Sequence, residues 1–198
     1  YGLQGSPPPL PDRPDIEVDS WKEAVQLGHL PDGSRVAILD MLAKHRSMWS
    51  ARLGQVQSTN HRIALIPGQK PVHCQPYRAG PRARAVESAE IERILKAEVI
   101  EPATSEWASP IVLVAKPDGS TRFCVDYRRL NAITVRDSYP LPRMDECIDS
   151  LRDAKIFTTL DCNSGYWQIQ VRPEDREKTT FTSYEGLYWF LRMPFGLR

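Results

Sequence analysis

The chain has 198 residues, 41% of them hydrophobic and 26% charged, with a net charge of +1. That balance suits a globular unit of one or two domains, and no uninterrupted apolar run is long enough to span a bilayer. The near-neutral total argues against a strongly basic nucleic-acid binder, so any nucleic-acid contact must rest on local clusters.

Four cysteines, at 74, 124, 147 and 162, form no Cys-x-x-Cys pair and have no His at ligand spacing. Reduced, packed thiols in an intracellular protein are therefore expected, not a zinc site. No signal-peptide pattern opens the chain. It begins at Tyr1 without Met and stops inside the patterned segment Met-Pro-Phe-Gly-Leu-Arg198, so both ends are expected to be cuts.

Residues 1–19 carry Pro7, Pro8, Pro9, Pro11 and Pro14. This composition cannot offset chain entropy by burial and reads as a disordered linker, with a proline-groove ligand as the other reading. Ser20 is placed to cap a helix over Trp21–Leu27, with Gly28 as its stop. Ser34 is placed to cap a second, in which Val36, Leu39 and Ala43 share one face and Ile38, Met41 and Leu42 another. Leu53 to Asn60 is loop, and His61–Ile66 a short strand closed by Pro67-Gly68. His61 has no partner nearby and reads as structural.

Residues 82–100 give the clearest helix. Ile91, Ile94, Leu95 and Val99 recur at three and four, Glu92 stands four before Lys96, and Glu101-Pro102 ends the run. Ile111–Ala115 and Arg122–Asp126 then form a hairpin around Pro117–Ser120. Lys116 and Arg122 flank that turn. A cationic hairpin tip suits a polyphosphate, with Arg bidentate and Lys a point charge, though the same pattern also serves as solubilising charge. Tyr127–Asn131 is a short helix or turn, Tyr139–Pro142 a rigid link, and Arg143–Arg152 a helix with Met144, Ile148 and Leu151 inward.

Lys155–Val171 reads as strand, turn and strand. Ile156, Thr158 and Leu160 alternate with Phe157, Thr159 and Asp161, and Asn163-Ser164-Gly165 supplies the turn. Beyond it, Trp167, Ile169 and Val171 share one face, with Tyr166, Gln168 and Gln170 on the other. Asp161 so placed is a rigid carboxylate of the kind a hard divalent cation prefers, although an Asp before such a turn also commonly bonds its own backbone. Arg172–Lys178 is a charged loop or short helix in which Glu174 and Asp175 form a solvated turn. Thr179–Ser183 and Leu187–Leu191 pair around Glu185-Gly186. There is no internal repeat.

Seven blocks occur in order: Ile-Pro-Gly68 with Pro-Tyr-Arg78, Ser-Pro-Ile-Val-Leu-Val-Ala-Lys-Pro-Asp-Gly-Ser120, Cys-Val-Asp-Tyr-Arg-Arg-Leu-Asn131, Tyr-Pro-Leu-Pro-Arg143, Leu-Asp-Cys-Asn-Ser-Gly-Tyr-Trp-Gln-Ile169, Lys-Thr-Thr-Phe181 and Met-Pro-Phe-Gly-Leu197. In this order and spacing they resemble the reverse transcriptases of gypsy-type LTR retrotransposons, from about His61 to Arg198. The stretch before them resembles the linker that follows the protease in retroelement polyproteins.

The resemblance implies an α+β fold: an incomplete right-hand polymerase, fingers and part of the palm, preceded by a helical connector. Residues 1–19 would be linker and 20–60 connector. Residues 61–136 and 169–198 would be fingers, and 137–168 palm. It implies an RNA-directed DNA polymerase that adds deoxynucleotides to a primer with two magnesium ions. Asp161 would be the first metal-binding carboxylate, with the main-chain carbonyl of Cys162 joining it. Lys116 and Arg122 would hold the incoming triphosphate, and Tyr166 would exclude a 2′ hydroxyl. Phe195 would line the nucleotide pocket, and Val112 and Arg128 would lie near the template.

The family's second carboxylate motif is expected beyond Arg198, so the chain by itself is expected to be inactive. Expected partners are RNA/DNA template-primer, deoxynucleoside triphosphates and the rest of the Pol polyprotein (protease, thumb, ribonuclease H and integrase), with no membrane. The expected location is intracellular, in a cytoplasmic particle or the nucleus. The alternatives are a non-enzymatic remnant with weak nucleic-acid or protein binding, through sites such as Arg128-Arg129 and Arg136, and a metal-dependent hydrolase around Asp161.

Overall fold

The computed structural model describes residue 25 and residues 27–45, 53–115 and 121–197. The proline-rich start, nearly all of the helix expected over Trp21–Leu27, Lys116 and the turn Pro117–Ser120 lie outside the described residues.

Helix α1 spans Asp32–Lys44. It begins after Pro31 with no side-chain cap, so Ser34 is not its cap; Leu42 is buried, whereas Val36 and Met41 face solvent. A two-residue strand β1 follows at Asn60–His61. The rest of the strand expected to Ile66 is a single bridge from Leu65 to Thr134, flanked by Ile66 N–H to Ile133 O and Val135 N–H to Ala64 O. His61 is half-buried, and burial pushes its imidazole pKa down.

Helix α2, Pro81–Lys96, has Pro at its first turn, where a missing N–H costs nothing, and buries Ile91 and Ile94. Lys96 and Glu92 pair at 2.7 Å on the solvent side. The expected end at Glu101-Pro102 is wrong: Glu98 takes φ 54°, Val99 N–H returns to Ile94 O at 3.0 Å, and the chain leaves the helix there. This left-handed stop frees Ile100–Pro102 to be strand β2.

The sheet also takes β3 (Ser109–Ala115), β4 (Thr121–Val125), β6 (Phe181–Thr182) and β7 (Leu187–Phe190), in the order β2-β7-β6-β3-β4. All its neighbours are antiparallel except β3 and β6. Strand β5, Gln170–Val171, runs parallel to β1. Phe181 is fully buried in the middle, its ring 5.8 Å from those of Phe123 and Tyr188 and 5.3 Å from Phe190. Helix α2 adds Ile91 and Ile94 to the same core. The result is α+β, as expected.

Short helix α3, Arg128–Ile133, follows β4 and is led by Tyr127. The Tyr127 hydroxyl is buried and donates to Thr179 O at 2.7 Å, and burial raises its pKa well above the ordinary value. The folded state thus keeps a proton that the unfolded chain releases first. Stability from this group is complete below the unfolded pKa near 10 and declines as pH rises beyond it, by about 1.4 kcal/mol per pH unit. Urea titrations at pH 9 to 11 should show that decline, and Tyr127→Phe should flatten it while lowering stability at neutral pH.

Three expectations fail. Residues 155–161 are not a strand: among the described residues no chain pairs with them, so their N–H and C=O groups have no ladder, and Ile156, Phe157 and Leu160 stand in solvent. The second half of that motif is a 3-10 turn over Gly165–Gln168, and only Gln170–Val171 is strand. Helix α4, Met144–Ser150, forms near where the pattern puts it, but Met144, Ile148 and Leu151 are exposed, not inward. The apolar periodicities are real, yet the described chain offers them nothing to pack on.

Asp175 corrects the reading of Arg172–Lys178 as solvated. It sits in a 3-10 segment, Pro173–Thr179, is 4% exposed, accepts Ile63 N–H at 3.0 Å and pairs with Lys178. Lys178 in turn donates to Ile63 O at 3.0 Å. Of the thiols, Cys74 and Cys124 are half-buried as expected, but Cys147 and Cys162 are exposed; all four are free.

Candidate functional site

The candidate residues fall in two groups. The first belongs to the turn after Asp161. Asp161 is exposed and makes no hydrogen bond or ion pair with another described residue, and Cys162 is exposed beside it. Ser164 takes φ 49°, ψ 49°, so the chain reverses there, and Trp167 N–H bonds Ser164 O at 2.8 Å. Gly165 keeps that turn tight: a Cβ on it would come 3.3 Å from the Cys162 Cβ, which would have to give by a few tenths of an ångström. Trp167 points into the core, which leaves its neighbour Tyr166 half-exposed.

The Tyr166 ring meets Phe195 edge to face at 5.1 Å, and Phe195 lies 6.0 Å from Trp167. Phe195 is carried by a loop fixed at its next residue: Gly196 takes φ 87°, and its carbonyl accepts from Asn131 Nδ2 at 2.7 Å. Aromatic pairs of this geometry hold one another beyond simple area burial. The structure therefore brings Tyr166 and Phe195 together, next to the turn that carries Asp161.

The second group belongs to the β3–β4 ladder. Ile111 pairs with Val125 and Leu113 with Phe123, and these pack on the core. The alternate pairs, Val112 with Cys124 and Val114 with Arg122, make the outer face, so Val112 and Arg122 share one side of the hairpin. Burial pushes the Cys124 thiol pKa up, and the nearby Arg122 cation partly offsets this. Lys116 lies outside the described residues.

Arg128 is exposed at the start of α3, but it is not loose. Its Nε and a terminal nitrogen donate to the two Asp126 oxygens at 2.8 and 2.6 Å, and its N–H reaches Asp126 Oδ1 at 3.1 Å. Tyr77 Oη donates to the same carboxylate at 3.3 Å. The Arg128 hydrogen bonds hold the Asp126 carboxyl below its usual range and raise the guanidinium further. Beside this pair is a groove of about 730 Å³ lined by His73, Tyr77, Arg78, Arg128 and Arg129. Three arginines there suit a phosphate backbone. Asp126 and Tyr77 are what the sequence reading missed; a carboxylate two residues before an Arg was the only local signal.

Asp161 is brought to no second carboxylate, and no three His, Cys, Asp or Glu side chains group as metal ligands among the described residues.

Residues 114–198 match the family model described as reverse transcriptase (RNA-dependent DNA polymerase). The chain is 34% identical over 197 residues to the Pol polyprotein of transposon opus of Drosophila melanogaster, covering 96% of this chain and 19% of that one. To the Pol polyprotein of transposon gypsy of the same fly it is 38% identical over 177 residues, covering 85% and 17%. To the enzymatic polyprotein of cauliflower mosaic virus (strain Strasbourg) it is 36% identical over 140 residues, covering 69% and 21%. The chain thus spans about a fifth of these relatives' length.

Among solved structures it resembles the prototype foamy virus protease-reverse transcriptase, CSH mutant, with a TM-score of 0.77 at 24% identity, over 93% of this chain and 25% of that one. The same enzyme in complex with an RNA/DNA hybrid matches with a TM-score of 0.74 at 21% identity, over 98% and 27%.

Proposed function

The chain belongs to the reverse transcriptases of retrotransposon Pol polyproteins, and from that premise we propose that it is a nucleotide- and template-handling part of an RNA-directed DNA polymerase. The observation that carries this is the half-exposed Tyr166 ring braced on Phe195, next to the turn after Asp161. A braced aromatic face is what a pocket needs in order to tell a deoxyribose from a ribose by shape. Arg122 on the hairpin's outer face, with Lys116, serves the triphosphate. Val112, the Asp126-locked Arg128 and the groove beside it serve the template backbone. In this reading residues 61–136 and 169–198 are fingers and 137–168 palm.

Reverse transcriptases depend on divalent metal ions. The described residues do not complete a site for one: Asp161 is a single exposed carboxylate, with the Cys162 main chain beside it and no group of three His, Cys, Asp or Glu side chains. We assign these two as part of the ligand set for two magnesium ions, completed by residues of the longer polyprotein, and expect these 198 residues alone to be inert. Template-primer, deoxynucleoside triphosphates and the remaining Pol domains are the proposed partners. The free thiols fit an intracellular particle or the nucleus.

The test is sugar selection by the complete polymerase. Tyr166→Ala should admit ribonucleotides, lowering the ratio of deoxy- to ribonucleotide kcat/KM by about a hundredfold, because a lost steric clash outweighs a lost contact. An unchanged ratio would remove Tyr166 from the pocket.

A further inference from the structure

Gln168 joins two parts of the chain that lie far apart in sequence. Its Nε2 donates to the Asn163 carbonyl at 2.8 Å, closing a small ring of chain that contains Tyr166. Its main-chain carbonyl accepts Val56 N–H at 2.7 Å. The backbone of Gly54 lies against the same side chain, so closely that a Cβ there would come 3.3 Å from Gln168 Oε1. The loop Leu53–Val56, which the sequence assigns to the connector, therefore touches the turn that follows Asp161.

That turn needs an external hold. Ser164 is in a left-handed conformation that a residue with a Cβ adopts reluctantly, and residues 155–161 before it are exposed and in no strand. On one side Tyr166 is braced by Phe195. On the other, the Gln168 amide ties the Asn163 carbonyl across the turn, alongside the Trp167 N–H bond to Ser164 O. We propose that Gln168 is a positioning residue for Tyr166, and that Gly54 and Val56 seat Gln168, which makes the connector loop part of the nucleotide pocket. This rests on the reading of Tyr166 as the sugar-discriminating ring. With the amide donor gone, the turn that carries the ring loses this tie, and the ring can yield to a 2′ hydroxyl.

The experiment measures deoxy- and ribonucleotide incorporation by the complete polymerase in wild type, Tyr166→Ala, Gln168→Met and Gly54→Val, well below each melting temperature. The ratio of the two kcat/KM values on one enzyme does not depend on how much of it is folded, so a scaffold defect cancels. Gln168→Met keeps the length and removes the donor. It should lower the ratio about three- to tenfold, the equivalent of one hydrogen bond. Gly54→Val should move it the same way by pushing the amide aside.

A ratio unchanged in Gln168→Met, whatever happens to stability, overturns the proposal. A ratio unchanged only in Gly54→Val removes the loop's part of it. If Tyr166→Ala leaves the ratio unchanged, or wild type extends no primer, the gate reading fails and takes the proposal with it.

Discussion

Asp161→Asn in the complete polymerase is expected to abolish primer extension, lowering kcat on the order of a thousandfold or more, with no change in melting temperature. The asymmetry follows from where the side chain is. It is exposed and bonds no other described residue, so nothing in the described structure depends on its charge. In the proposed role it offers an anionic oxygen to a divalent cation, and an amide of the same size offers only a neutral one. Pre-steady-state incorporation of a single nucleotide is the direct measurement. Retention of more than a tenth of the wild-type rate would show that the ligand set is elsewhere.

The largest effect on stability is expected at Asp175. Removing it as Asp175→Ala leaves Ile63 N–H without an acceptor and the partly buried Lys178 without its counter-charge. Breaking a buried pair by deleting one member costs more than the pair was worth, because the survivor is left desolvated. About 3 kcal/mol is expected. Urea unfolding should show the midpoint falling at an unchanged slope. Glu174→Ala, two-thirds exposed and 3.9 Å from Arg172, should cost a few tenths of a kcal/mol at most. Equal effects from the two would refute the clip between the 3-10 segment and residues 61–63.

These two residues also show what a sequence makes legible. Glu174 and Asp175 are neighbours of one charge type, and nothing local separates the solvated carboxylate from the buried one. The difference lies in Ile63, more than a hundred residues earlier. The β3–β4 hairpin was readable because its period-two alternation and turn residues lie within one window, although its register, Ala115 opposite Thr121, is one residue off the expected strand bounds. Helix α2 was readable for the same reason, and its C-terminus was misplaced because Glu98 ends it by backbone conformation, with no Gly to announce it.

Residues 155–161 fail differently. Their alternation is as clean as that of β3, but a strand is made by its neighbour, and among the described residues it has none. At the candidate site, motif text nominates the individual residues, but the contacts that hold them are not legible in it. Phe195 against Tyr166, and Asp126 under Arg128, are products of the fold.

The strand order carries a consequence for how this chain is made. β6 and β7 lie inside the sheet between β2 and β3, yet they are synthesised after every other described strand of it. A ribosome therefore releases α2, β2, β3 and β4 before any residue that can join β2 to the others exists. The β3–β4 hairpin can close early by itself, while β2 waits for Leu187–Phe190. A frameshift or premature stop anywhere upstream of Phe190 does more than shorten the product, because it removes the middle of the sheet. Until that point the nascent chain carries bare strand edges, the state in which it is most open to aggregation and to capture by holdase chaperones.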